Sequence, residues 1–313
     1  MNSRQSFDAI DHSLDRLRPS VVAAGWSARA IDEARAVLLA VLTQSDYQTA
    51  PPAIQSKAEI LLSWRYLEYW YFEGAPLSVQ IALWVGLETG LLRPPADGLK
   101  RIDEFAAFFP RQLAFEAAKR RAEIVGGWIF PGEAELFWET IDATALVAGD
   151  VAEIGSWVGR SSIVLAAGLE ALSPRKRLHV VDDWCFGGQP NLYPYLSDKR
   201  NLRAEFEENT APWCERIVIR EGLFQDVSGK MAKASPSGFS LIFHDAGHTP
   251  ADFARDLPLI EPLLTPGGYL LIHDYVSKNF GESRGAIDSW IASHPCMALA
   301  TTVGTCAVIK RCQ

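Results

Sequence analysis

The sequence predicts a doubly wound α/β domain over its last two-thirds, preceded by a helical domain. Three observations lead there. After Gly126, short runs rich in Val and Ile alternate with helical stretches. Before about residue 120, by contrast, no strand-like alternation of useful length occurs and helical spacing dominates. Finally, the chain ends on two strand-like runs parted by a short turn. Together they specify a mostly parallel seven-stranded sheet with helices on both faces and a C-terminal antiparallel hairpin. The boundary is set at 1–124 for the helical N-terminal domain, read as a cap or oligomerisation element, and 125–313 for the α/β domain.

In the first part, Ser27 is suited to cap a helix whose apolar face carries Ile31, Ala34, Val37, Leu38 and Val41, three and four residues apart. Further helices are predicted over 53–71 and 76–90, with Pro51, Pro52, Gly74, Pro94 and Pro95 as punctuation. The run 64–72 is unusually aromatic, which serves core packing or the wall of a covered pocket. In the second part, strands are predicted at 151–154, 178–181, 217–220, 239–243 and 269–273. Helices fall between them at 160–172, 198–208, 225–233, 250–264 and 282–293. The hairpin pairs 297–302 with 306–310 across Val303-Gly304-Thr305. Parallel sheets of this kind bind ligands at the carboxyl ends of their strands, where strand order reverses.

Composition narrows the function. The 313 residues are 48% hydrophobic and 22% charged, with a net charge of −8. An acidic chain without a Lys/Arg run repels nucleic acid, so a small neutral or cationic molecule is the expected partner. No apolar stretch approaches the ~20 residues of a membrane span, and the first residues lack a signal-peptide core. Five scattered cysteines without a CxxC pair read as reduced thiols in a cytoplasmic protein.

The chemistry concentrates at strand ends. The first strand runs through Glu153 into Gly155-Ser156-Trp157-Val158-Gly159 and the next helix. Glycines permit a sharp turn and close approach of a ligand, and the amides of a helix start suit an anionic group. Ser156, Ser161 and Ser162 add hydroxyl donors, while Glu153 is placed to anchor the loop or face an ammonium group. The spacing lacks the G-x-G-x-x-G of dinucleotide sites, which counts against a dehydrogenase. The second strand ends on Asp182, placed to take both ribose hydroxyls of a bound nucleoside. Asp183 reads as a solvated neighbour or a loop cap, Trp184 as packing on the ligand or the loop, and Gly222 and Leu223 as neighbours of a nucleobase. His248 follows the fourth strand and is either a base or the cap of the helix near Pro250. Asp245 and Asp274 stand at neighbouring strand ends, to share a metal or orient His248; Asp274 also suits a plain cap of its strand. His244 and His273, read as the last residues of their strands, are expected to point to the opposite face and be structural.

The runs GGWIFPGEAELFWETI, VAEIGSWVGRSSIVLA, VVDDW and LIFHDAGHTPADFARDLPLIEPLLTPGGYLLIHDY resemble the class I S-adenosylmethionine-dependent methyltransferases. Within that class they are most similar to the branch of macrolide sugar and antibiotic O-methyltransferases. The resemblance covers residues 126 to 310 and leaves the helical first third unmatched. It implies S-adenosyl-L-methionine bound by Glu153, Gly155, Ser156, Gly159, Ser161 and Asp182. It also implies His248 as base and Asp245 in the catalytic machinery. A divalent metal, Mg or Mn, would sit on Asp245 and on an acidic pair at the fifth strand. Here that pair reads His273-Asp274, and imidazole is a poor ligand for magnesium. The implied function is methyl transfer to a small molecule, on the oxygen of a natural-product or sugar hydroxyl. N-methylation of an amine, or nucleoside binding without transfer, are the competing readings.

Overall fold

The computed structural model describes residues 3–43, 51–62, 75–92, 99–185 and 201–312. The aromatic run 64–72 lies outside the described residues, as does 187–195, which the sequence offers as an insertion after Trp184 over a covered pocket. The chain divides into two compact units, Met1–Arg120 and Arg121–Gln313.

The first unit is helical among its described residues: α1 (Ser3–Ala23), α2 (Arg29–Thr43), α3 (Pro52–Leu62), α4 (Leu77–Glu88) and most of α5 (Leu99–Glu123). Its core joins Ile10, Leu14 and Val21 of α1 to Phe105, Phe109 and Leu113 of α5. The α2 stripe behaves as its periodicity predicts: Ile31, Ala34, Val37 and Leu38 are buried, and Val41 packs partly buried against them. No described helix is long and apolar enough to cross a membrane.

The second unit opens with α6 (Glu133–Ala143) and then alternates strand and helix. In order these are β1 (Asp150–Ile154), α7 (Arg160–Leu172), β2 (Leu178–Asp182), α8 (Leu202–Thr210), β3 (Ile217–Glu221), α9 (Phe224–Ala234) and β4 (Phe239–His244). Then come α10 (Pro250–Ile260), β5 (Leu264–Ile272), α11 (Gly281–Ser293), β6 (Met297–Val303) and β7 (Cys306–Arg311). The sheet order is β3-β2-β1-β4-β5-β7-β6, parallel through β5, with β7 antiparallel to both β5 and β6. The fold is therefore the predicted one. It differs in that β5 begins five residues earlier than expected and α10 ends sooner.

Residue parity along the strands decides what faces what. Ile242, Leu270 and Ile272 join a core with Phe253 and Leu257 of α10 and Ile287 and Trp290 of α11. Their neighbour Phe243 turns the other way, its ring 4.7 Å from Phe137 of α6. Strand order reverses between β1 and β4, so the carboxyl ends of these two strands bound the crevice where such folds take ligands.

Candidate active site at the carboxyl edge of the sheet

The loop after β1 is held from three sides. Gly155 has φ +85°, and a Cβ there would lie 2.5 Å from the carbonyl oxygen of Asp245, so glycine is required by the approach of two chain segments. Gly159 (φ +92°) begins α7, and a Cβ there would meet Thr210 and Phe206. Between them, Asp182 Oδ2 accepts the backbone N–H groups of Ser156 (2.7 Å) and Trp157 (2.8 Å), and Oδ1 accepts that of Trp184 (2.7 Å). Burial pushes the Asp182 carboxyl up against the pull of these amides. The Asp182 carboxylate thus already shapes the loop from within the protein. Trp184 lies on that loop, its indole N–H donating to the Trp157 carbonyl at 2.8 Å. Asp183 caps its own turn by accepting from Cys185 N–H.

Glu153 is fully buried on the same strand, and its two oxygens accept from the hydroxyls of Ser161 and Ser162. Burial pushes its carboxyl up to about 8, with the two serines pulling the other way. The hydroxyl protons of Ser161 and Ser162, expected to point at a ligand, are therefore spent on tying α7 to β1. This frees the helix start itself: the N-cap is Gly159, with no side-chain cap.

A second cluster stands at the ends of β4 and β5. Asp245, one residue past β4, shares the parity of Phe243, and His273, one past β5, shares that of Leu271. Both therefore point to the α6 side, and His273 Nδ1 lies 3.1 Å from Asp245 Oδ1. This corrects the expectation that His273 points away: β5 ends at Ile272, which places His273 level with Asp245. His244 has the opposite parity and meets Asp256 of α10 at 3.1 Å, deep in the core. Asp274 turns back through a left-handed φ of +59°, bringing Oδ2 to 3.6 Å from His273 Nδ1 and 3.6 Å from His248 Nδ1.

The imidazole of His248 stacks on Phe280, centroids 4.4 Å apart and planes 24° apart. The cap of α10 is Thr249, in a reciprocal box with Asp252, so the His248 ring has no capping duty. Below His273 lies Glu133, at the start of α6, with Oε2 3.2 Å from His273 Nε2. Glu133 also accepts from Phe130 N–H and from the amide and hydroxyl of Thr305. Burial alone would raise its carboxyl, but His273 and these amides hold it below the ordinary range. Burial works against a charged His273, yet Asp245, Asp274 and Glu133 together push it up to about 12. Aromatic rings flank the area: Phe130 stacks on His273 at 5.8 Å, and Trp128 stacks on Trp157 at 5.5 Å.

The family model of a methyltransferase domain matches residues 152–275. Residues 152–275 of the C-terminal unit thus carry a methyltransferase domain. Among solved structures, the O-methyltransferase NovP shares 16% identity at a TM-score of 0.50, over 66% of this chain and 100% of its own, a likeness of fold. An O-methyltransferase from Bacillus cereus, solved in complex with SAH, shares 20% identity at 0.45, over 64% and 90%. TomG from Streptomyces achromogenes, an O-methyltransferase solved with SAM, shares 17% at 0.45, over 65% and 89%. None of the curated proteins matches the chain.

The methyltransferase domain has features that fit its donor. The start of α7, uncapped by any side chain at Gly159, carries the positive end of a helix dipole suited to the donor's carboxylate. The metal of the resembling branch fits less well. Asp245, His248 and Asp274 do bring ligand atoms within 4.8 Å of one another. However, one oxygen of each aspartate already faces His273. Glu133 and His273 were not singled out as site residues from the sequence. Glu133 lies 140 residues from its partner, so only tertiary packing joins them, whereas counting parity from the true end of β5 would have placed His273.

Proposed function

We propose that this methyltransferase domain moves the methyl group of S-adenosylmethionine to a hydroxyl oxygen of a small natural product or sugar, with His248 as general base. The observation that carries this reading is His248 at the carboxyl edge of β4, its Nδ1 turned towards Asp274 and its ring braced by Phe280. With Nδ1 facing a carboxylate, Nε2 is the nitrogen left to take a proton. As the acceptor oxygen attacks the methyl carbon, the carbon–sulfur bond breaks, the donor leaves as neutral thioether, and the hydroxyl proton passes to His248. Asp274, facing Nδ1, orients the ring for that transfer. On the donor side, Gly155, Ser156 and Gly159 form the cradle, Asp182 holds its shape and reaches the ribose, and Glu153 with Ser161 anchors it. The helical segment 1–124 is assigned as a cap or oligomerisation element, and 125–313 as the donor-binding domain. Five free thiols suit work in the reducing cytoplasm.

The test is incubation of the full chain with labelled donor and a panel of sugar, phenol and amine acceptors. S-adenosylhomocysteine released only when a hydroxylated acceptor is present, with label on oxygen, is the expected outcome. Label found on nitrogen, or no acceptor-dependent release across the panel, refutes the reading.

A further inference from the structure

We propose that Trp128 and Phe130 form the wall on which the acceptor is seated, and that this wall selects a phenol, a flat ring bearing the reacting hydroxyl, over a sugar. The inference rests on the site reading above and names its acceptor class. Large aromatic side chains normally bury most of their area, yet Trp128 is 46% exposed and Phe130 39% exposed. They stand two residues apart on the segment that leads into α6, and each leans on a different part of the site. The Trp128 indole lies nearly parallel to that of Trp157, planes 9° and centroids 5.5 Å apart. Trp157 belongs to the donor loop, its N–H held by Asp182. The Phe130 ring stacks on His273, whose Nδ1 lies 3.1 Å from Asp245. The two parts themselves meet, since Gly155 backs onto the Asp245 carbonyl. The exposed rings therefore run along the edge where the donor loop meets the end of β4.

The segment that carries them is fixed at both ends. Arg160, at the start of α7, donates to the Gly127 carbonyl at 2.6 Å. Gly127 has φ +126°, and a Cβ there would meet the Arg160 side chain at 3.3 Å and the Trp157 ring at 3.5 Å. At the other end, the Phe130 N–H donates to Glu133 Oε2 at 2.7 Å. Each ring turns one face to its stacking partner, so its exposed area lies on the other face and the edges. Rings set in advance lose little freedom when a ligand arrives, and that favours binding.

The chemistry of the wall decides between acceptor classes. Residues 126–131 read Gly-Gly-Trp-Ile-Phe-Pro and carry a single hydrogen-bonding side-chain group, the Trp128 indole N–H. A sugar seated there would bring several hydroxyls, and each one covered without a partner costs free energy. A phenol brings one hydroxyl to the base, and its flat face matches the planes of the indole and the phenyl ring. His248 at the same edge is itself stacked on Phe280, so the base too is framed by aromatic surface. Trp128 and Phe130 are thus specificity-determining residues that touch the body of the acceptor.

The experiment is calorimetry on the full chain saturated with S-adenosylhomocysteine, with 7-hydroxycoumarin as the phenol and methyl glucoside as the sugar. It reads binding and not turnover, so its failure is distinct from a failure of the transfer reaction across the acceptor panel. Wild type should bind the coumarin at least about tenfold tighter than the glucoside. Trp128→Leu keeps apolar bulk but removes the flat face, and should weaken coumarin binding about tenfold, whereas Trp128→Phe should stay within about threefold of wild type. Affinity for S-adenosylhomocysteine, measured on the same variants, separates a wall from a brace: it should hold within about threefold in Trp128→Leu. Equal weakening of coumarin and S-adenosylhomocysteine in that variant would mean that Trp128 only supports the donor loop, and overturns the proposal. So do equal affinities for the two probes, no coumarin binding, or coumarin binding that Trp128→Leu leaves unchanged.

Discussion

Asp182→Ala tests how the donor loop keeps its shape. The substitution removes the acceptor of three backbone amides, those of Ser156, Trp157 and Trp184, at 2.7–2.8 Å. A hydrogen bond to a charged group contributes about 1.5–3 kcal/mol. Water will reach some of these amides in the variant, so only the two on Oδ2, which bracket the loop, are counted, at the low end. They come to about 3 kcal/mol. If the donor requires the loop as it stands, this cost appears in binding as a ~100-fold weaker affinity. Calorimetry with S-adenosylhomocysteine measures it, with circular dichroism checking that the fold persists. An analogue lacking both ribose hydroxyls separates two causes. If Asp182 acts by shaping the loop, the variant also loses affinity for the analogue; if it acts only on the ribose, it does not. Affinity for S-adenosylhomocysteine within threefold of wild type would refute the reasoning.

Two further substitutions probe the same edge. Gly155→Ala forces a side chain into a left-handed backbone and within 2.5 Å of the Asp245 carbonyl, which is fixed by the β1–β4 pairing. It should destabilise the domain by roughly 3 kcal/mol, and a thermal melt unchanged within about 2 °C would contradict this. His248→Ala should lower kcat by roughly 10²–10⁴-fold while donor affinity, measured by calorimetry, stays near wild type. Turnover close to wild type would remove His248 from proton transfer.

What the sequence by itself determined is the material of local and periodic origin. Alternation of Val-rich runs with helical stretches forces a parallel sheet, because a strand buried on both faces and followed by a helix has few other ways to satisfy its backbone. The α2 stripe and the glycine loop after β1 are equally local: spacing makes the one, and the demand for left-handed turns makes the other. Strand ends likewise mark where Asp182, Asp245, His248 and Asp274 gather, since a parallel sheet brings all its carboxyl termini to one edge.

The tertiary structure decided how those groups are spent. Asp182, Ser161 and Ser162 read as ligand contacts in sequence, yet their hydrogen bonds run to the protein's own backbone and to Glu153. His273 read as structural, and one residue of strand length reversed that, because side-chain direction in a strand alternates with every residue. Glu133 carried no signal at all; a carboxylate on a helix joins a cluster 140 positions away only when α6 packs on the sheet face beside β4 and β5. Pattern along the chain specifies elements and edges, whereas the charge state and partners of a buried group depend on everything folded around it.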